Sequence, residues 1–279
     1  MLPILYAGNE AMFDGVLISL LSVLRHTKEP LNVFLLTMDL TDMDARYKPL
    51  RCFMADYLER LCRNVNGDSR VTLIDAGQLY RETLGSSPNG KTGYTPYCFL
   101  RLFAHRIKAL PSKILYLDTD TVVNKDLSPL FAIDLEGFEY AAALDHYGKW
   151  FMGYHYINSG VMLLNLDRIR QTGLFEKALA LCAKKRLFLP DQTAIHRLTQ
   201  RKYILPAIYN QQKRYDREDT VIQHFTKTIL WLPYFHTRNI KPWQTEQVGQ
   251  VLTHRYDGLL QEYLAEKRNF ECERMNVYE

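Results

Sequence analysis

The sequence predicts an α/β protein with a single, mostly parallel central sheet and flanking helices. Three observations carry that expectation. Residues 3–7, 14–26 and 31–38 read as strand, helix and strand at the spacing of a crossover unit, which makes the two strands parallel. Short apolar runs such as Lys113-Ile114-Leu115-Tyr116-Leu117 show no polar alternation, the pattern of strands buried on both faces. Apolar residues make up 47% of the 279 positions, ample for one large core.

The elements follow in order. Gly8-Asn9-Glu10 reads as a turn between the first strand and its helix. A charged helical stretch over 42–64 leads to a third strand at 70–75, and 78–84 reads as helix. After a loop over 85–96, Leu100, Phe103, Ile107 and Leu110 share one helical face, and Pro111 ends that helix because its ring cannot continue the backbone ladder. Strands are expected at 113–117, 140–144, 160–166 and 220–224, helices at 174–185 and 191–199, and a charged helical tail from 246.

Composition narrows the function. A net charge of +4 is too small to imply nucleic acid, yet compatible with anionic substrates or a membrane surface. Five cysteines, odd in number and without a CxxC pair, read as free thiols of a reducing compartment. No apolar stretch approaches a membrane span, and the segment from Met1 to Ala7 is too short and uncharged for a signal peptide. The expected location is cytoplasmic, with peripheral attachment to the inner face of a membrane left open.

The most informative stretch is the apolar run that ends in Asp118-Thr119-Asp120. Ligands of parallel sheets gather at strand C-terminal ends. If the extended backbone continues through Thr119, both carboxylates point to the same side. Such a pair suits Mn²⁺ or Mg²⁺, which accept a few carboxylates and keep positions for substrate phosphates. The plain alternative is a polar turn. A second pattern, Gly85-Ser86-Ser87-Pro88-Asn89-Gly90-Lys91-Thr92, matches the phosphate-cradling P-loop letter for letter, but it follows a helix instead of a strand. It is better read as a flexible loop able to cover a site.

Taken in order, Arg101-Leu102, the Asp pair, Asn158-Ser159-Gly160 and Asp191-Gln192 resemble glycosyltransferase family 8 over residues 3 to 243. The resemblance implies a GT-A type nucleotide-diphospho-sugar transferase fold, a UDP-sugar donor and Mn²⁺, with Mg²⁺ as the other candidate ion. It places the catalytic domain at 1–245 and a helical tail at 246–279. Arg101 matches a family Arg that contacts the donor, and Asp118 with Asp120 the metal pair, flanked by Thr119 in the donor site. Asp145 and Asn158, with Ser159, match positions against the transferred sugar. Asp191 and Gln192 match the segment near the anomeric carbon, where residues assist a retaining reaction by front-face or double displacement.

Several of these residues have simpler readings. Arg101 shares a helical face with His105 and Lys108 and is otherwise a solvated cation. Asn158 and Ser159 before a glycine are ordinary turn residues, and Asp191 behind Pro190 is a good helix N-cap. The third metal ligand is contested. Val221-Ile222-Gln223-His224 resembles the family strand ending in a ligand His, and Lys241-Pro242-Trp243 resembles the motif whose Lys grips the diphosphate. In the family the His lies about six residues before that Lys; His224 is farther and His236 nearer. His224 is preferred because it ends an apolar run. At Ala7-Gly8-Asn9-Glu10 relatives read uracil, usually with an acidic residue, and Asn9 replaces it with an amide able to bond a pyrimidine edge.

The expected reaction moves a hexose, glucose or galactose, from UDP to a hydroxyl of a saccharide or glycolipid. A glycogenin-like self-glucosylating primer and a sugar nucleotidyltransferase are the alternatives, and a non-enzymatic binding protein a remote third.

Overall fold

The computed structural model describes residues 1–91, 95–230 and 235–278. In chain order the elements are β1 (Leu2–Ala7), α1 (Phe13–Leu24), β2 (Leu31–Thr37), α2 (Cys52–Val65), β3 (Arg70–Asp75), α3 (Gly77–Leu84) and a 3-10 stretch over Pro96–Arg106. There follow β4 (Lys113–Leu117), β5 (Thr121–Val123), α4 (Ser128–Phe131), β6 (Tyr140–Leu144), α5 (Gly148–Phe151), β7 (Ile157–Asn165), α6 (Leu166–Thr172), α7 (Leu174–Lys184) and α8 (Pro190–Leu198). The chain continues through β8 (Lys202–Leu205), β9 (Ile222–His224), β10 (Thr228–Leu230), β11 (His236–Arg238), α9 (Thr245–Gln247) and α10 (Asp257–Tyr278).

A seven-stranded sheet in the order β3-β2-β1-β4-β7-β6-β8 forms the centre. Every neighbouring pair is parallel except those made by β7, which runs against both β4 and β6. Strand alternation sends Leu115 and Leu117 to a core with α1 and α2, and Ile114 and Tyr116 to a second core with α3, the 3-10 stretch and α7. Both faces are covered, which is why β4 carries an unbroken apolar run. The reversal of β7 brings its first residues to the edge where β1, β4 and β6 end. Asp118 N donates there to Gly160 O at 2.7 Å.

Helix α10 lies against α1 and α2. Phe270 meets Phe13 at 4.4 Å between ring centroids, Lys267 Nζ is 2.7 Å from Asp14 Oδ2, and the Tyr57 hydroxyl donates to Glu266 Oε2 at 2.7 Å.

The structure departs from the sequence reading in definite places. Helix α2 begins at Cys52, and residues 42–50 are turns and irregular chain. Local hydrogen bonds compete with helix there: Asp44 Oδ1 accepts from Arg46 N, Leu50 N donates to Thr37 Oγ1, and Pro49 has no N–H to give. The segment at 96–106 is 3-10 and not α-helical, although its apolar face is buried as expected. Strand β4 stops at Leu117, so Asp118-Thr119-Asp120 is a turn into β5, closed by Thr121 N donating to Asp118 O at 3.2 Å. Strand β7 starts three residues early, which puts Asn158, Ser159 and Gly160 in the sheet and not in a turn. Strands β5, β8, β10 and β11 and helices α4, α5 and α6 were not foreseen.

The loop expected to be flexible at 85–96 is pinned where it is described. Asn89 is 1% exposed, its amide donates to the carbonyls of Cys182 at 2.7 Å and Lys185 at 2.8 Å, and its oxygen accepts from Leu187 N at 2.9 Å. The P-loop match follows α3 and turns at Pro88–Lys91, so it lacks the strand-to-helix setting that cradles phosphate. Its Thr92 lies outside the described residues, as do residues 231–234 of the segment between His224 and Lys241. All five cysteines are free.

Candidate functional site

The turn after β4 and the end of β9 meet because β5 and β9 pair antiparallel, with Thr121 opposite His224. This register sets His224 Nε2 3.1 Å from Asp120 Oδ1 and 3.7 Å from Asp118 Oδ2. Among the described residues, Asp118, Asp120 and His224 are the one group of three able to hold a metal, their ligand atoms all within 4.8 Å of one another. The two carboxylates converge through a turn, by a route other than the extended backbone expected.

Cations flank this pair. Lys241 Nζ binds Asp120 Oδ2 and donates to Phe225 O at 3.0 Å. Arg101 is 6% exposed and therefore no solvated cation: it lies 2.8 Å from Asp118 Oδ1 and 3.2 Å from Asp191 Oδ2, donates to Ser159 O, and sits 4.3 Å over the Tyr116 ring. Tyr116 adds its hydroxyl to Asp118 Oδ1 at 2.7 Å. Burial works to raise the Asp120 carboxyl, but Lys241 and His224 outweigh it and hold the group well below the ordinary carboxylate range. For Arg101 burial works against charge, and Asp118 leads the partners that hold it firmly protonated. Burial pushes Asp191 up despite Arg101, and the like charge of Asp118 adds to it.

Beside the turn a chain of side chains forms a second polar region. Asp145, just past β6, accepts at Oδ2 from Asn158 Nδ2 at 3.0 Å and from Gln192 Nε2 at 3.3 Å. Its Oδ1 accepts from Gly148 N at 2.6 Å and Tyr147 N at 3.1 Å. Gln192 Oε1 in turn accepts from Ser159 N at 2.9 Å. Asp191 stands in the first turn of α8 and serves Arg101, while Leu189, not Asp191, is the N-cap. Leu189 has φ 46°, a strained conformation for a branched side chain, immediately before these two residues.

Gly160 explains why the cluster closes. A Cβ there would sit 2.1 Å from His224 Cε1 and 2.7 Å from Asp118 Oδ2, so only glycine lets β7 pass behind the ligands. Sequence reasoning missed Asn210, which is 1% exposed. Its Nδ2 donates to Asn158 Oδ1 at 2.9 Å and its oxygen lies 3.1 Å from His224 Nδ1. The only sequence signal was a run of three amides, Asn210-Gln211-Gln212, all buried here.

A cavity of about 380 Å³ opens over the site, lined by Ala7, Arg101, Asp118, Thr119, Asp120 and Lys241, with Trp243 and Tyr97 among its walls. Asn9 is not among the lining residues; it is buried and its amide donates to Arg46 O at 3.4 Å.

Asp118, Asp120 and His224 fit a divalent ion by donor chemistry and by spacing. Neighbouring donors on an octahedral ion with bonds of about 2.1 Å lie about 3 Å apart, close to the 3.1 Å between His224 and Asp120. Two carboxylates with one imidazole form a mixed O/N set that Mn²⁺ accepts.

The model of the family described as "Glycosyl transferase family 8" matches residues 3–247. The chain belongs to that family. Relatives include the glycosyltransferase GlyE of Streptococcus pneumoniae, 25% identical over 89% of this chain and 58% of GlyE. The lipopolysaccharide 1,2-glucosyltransferase of Escherichia coli is 30% identical over 52% of this chain and 48% of its own length. A probable glycosyl transferase of Streptococcus gordonii is 28% identical over 61% of this chain and 25% of its own. The chain thus spans a quarter to under two thirds of these relatives. Among solved structures, the galactosyltransferase LgtC in complex with donor and acceptor sugar analogs superposes with a TM-score of 0.68 at 16% identity, covering 94% of this chain and 96% of LgtC. The GlyE structure gives 0.60 at 22%, over 94% of this chain and 60% of that one. At these identities the structures establish the shared GT-A architecture. Among the described residues no helix is long and apolar enough to cross a membrane.

Proposed function

We propose that this family 8 chain is a retaining hexosyltransferase that moves glucose or galactose from a UDP-sugar to a hydroxyl of a saccharide or glycolipid. The observation that carries the reading is the placement of an Asp–Asp–His donor set directly beside the polar region around Asp145, on one edge of the sheet. The first suits a diphosphate and the second a sugar.

Breaking the sugar–phosphate bond leaves negative charge on the diphosphate. A divalent ion held by Asp118, Asp120 and His224, Mn²⁺ before Mg²⁺, would supply Lewis-acid stabilisation of that charge. Lys241 and Arg101 line the cavity and add fixed positive charge where the diphosphate lies. Ala7 and Thr119 shape the wall for the nucleoside, and Asn9 backs the turn behind Ala7. Asp145, Asn158 and Ser159 orient the sugar, Gln192 faces the reacting carbon from α8, and Asp191 keeps Arg101 and Ser159 in register. Such hydrogen bonds are held before substrate arrives, so little reorganisation accompanies the reaction.

The test is a donor-hydrolysis screen of UDP-, GDP- and ADP-hexoses with Mn²⁺. Hexose release from a UDP-hexose that chelation abolishes is expected. A folded, metal-loaded protein that neither hydrolyses nor transfers from any nucleotide sugar would sink the reading.

A further inference from the structure

The segment after Asp145 carries charge that the donor chemistry does not use. Gln212 staples it to the chain at 210–214: His146 N donates to Gln212 Oε1 at 2.9 Å, and Gln212 Nε2 donates to Leu144 O at 3.0 Å. Gln211 Oε1 accepts from both Lys213 N and Arg214 N at 3.3 Å, which fixes the turn that presents these two exposed residues. Lys149 stands on α5, three residues after His146. The imidazole is pushed below its ordinary pKa first by burial, then by Lys213 and Lys149, with Asp145 opposing and Arg214 adding to them.

Several surface arginines are paired: Arg25 with Glu262, Arg60 with Glu273, Arg81 with Asp42, Arg106 with Glu176 and Arg217 with Asp219. None of the described ion pairs includes Lys149, Lys213 or Arg214. Asp145, the carboxylate next to His146, is engaged by two amides and two backbone N–H groups. Like charges gathered round a half-buried ring repel one another, and a bound anion relieves that repulsion. Trp150 and Phe151, each 75% exposed, follow Lys149, whose Nζ lies 5.6 Å from the Trp150 ring centroid, and Phe151 offers an aromatic face for the C–H side of a sugar ring.

We infer that Lys149, Lys213 and Arg214 form an anion-recognition site beside Asp145, and that the acceptor is a phosphate-bearing saccharide. This rests on the transferase reading for the word acceptor, while the anion site stands on the cations themselves. The cations follow Asp145 and Gln212 in the chain and are not among the residues that line the cavity with Lys241, so they address a group other than the donor's diphosphate.

The test is equilibrium binding of galactose and of galactose 6-phosphate to the whole chain, with and without excess UDP and Mn²⁺, over a salt series. Binding of UDP itself, read in the same cell, reports separately on the transferase reading. The phosphorylated sugar is expected to bind about tenfold or more tightly than galactose, as hydrogen bonds to charged groups imply. That preference should fade with salt and vanish in Lys213→Ala/Arg214→Ala and in Lys149→Ala, whose melting temperatures confirm folding. Equal binding of the two sugars by the wild type overturns the inference, and so does a preference that survives in the variants. Vesicles of phosphatidylglycerol in phosphatidylcholine form the third arm. Retention on them without any galactose 6-phosphate preference assigns the cations to a lipid headgroup and also overturns it.

Discussion

Asn210 Oδ1 lies 3.1 Å from His224 Nδ1, and this pair joins the sugar side of the site to the metal side. The orientation is set from Asp145 outward. Its carboxylate can only accept, so Asn158 presents Nδ2 to it and Oδ1 to Asn210. Asn210 therefore turns its own oxygen to His224, which holds the imidazole proton on Nδ1 and leaves Nε2 free to face the Asp pair. Asn210→Ala should raise the Mn²⁺ requirement by about 10- to 100-fold, the usual cost of losing such a partner. A metal titration of donor hydrolysis measures it, and an unchanged requirement would mean His224 is oriented by something else.

The histidine that ends β9 and the one that begins β11 should behave differently. His224→Ala removes one of three donors and should raise the metal requirement strongly, whereas His236→Ala, in β11, should raise it far less. Parallel titrations of both variants decide the matter. A larger effect from His236 would move the ligand set into the β10–β11 segment.

Asp120→Asn should abolish transfer and donor hydrolysis while the fold persists. It also has a pH signature in metal-free protein. The Asp120 carboxyl is lowered in the folded state, so its stabilisation is present above its ordinary value of 3.8 and is lost only as pH falls through the lower folded value. The wild type should exceed the variant by about 3 kcal/mol near neutrality, the scale for breaking a buried pair. In strongly acidic solution that difference should close. Denaturant melts across the acid range test this, and a gap independent of pH would contradict the ion pairing.

Gly160→Ala should displace His224, since the new methyl cannot share 2.1 Å with the ring. The expected result is loss of Mn²⁺-dependent thermal stabilisation alongside loss of activity. A variant that keeps both would show that β7 can shift to make room.

Much of this was legible in the sequence because it is local. The parallel crossover at the N-terminus, the doubly buried β4 and the carboxylates at its end follow from alternation, apolar runs and punctuation by proline, all properties of neighbouring residues. Motif order along the chain was enough to expect Arg101, Asp145, Asn158 and Gln192 around one site. Their bonds were not legible. A letter pattern shows neither that Arg101 is buried between Asp118 and Asp191 nor that Asn89 pins its loop.

What only the tertiary structure decided lies in pairings between distant segments. The fifteen residues between Phe225 and Lys241 look like an insertion that breaks the motif, yet the β10–β11 pair turns the chain back and Lys241 Nζ reaches the Phe225 carbonyl. Spacing in sequence is thereby uncoupled from distance in space. Likewise the Asp118-Thr119-Asp120 turn, the reversal of β7 and the register of β5 on β9 depend on which strands pair, a choice made by burial across the whole sheet and invisible to any window of neighbouring residues. Local chemistry identified the donors; long-range packing brought His224 and Asn210 to them.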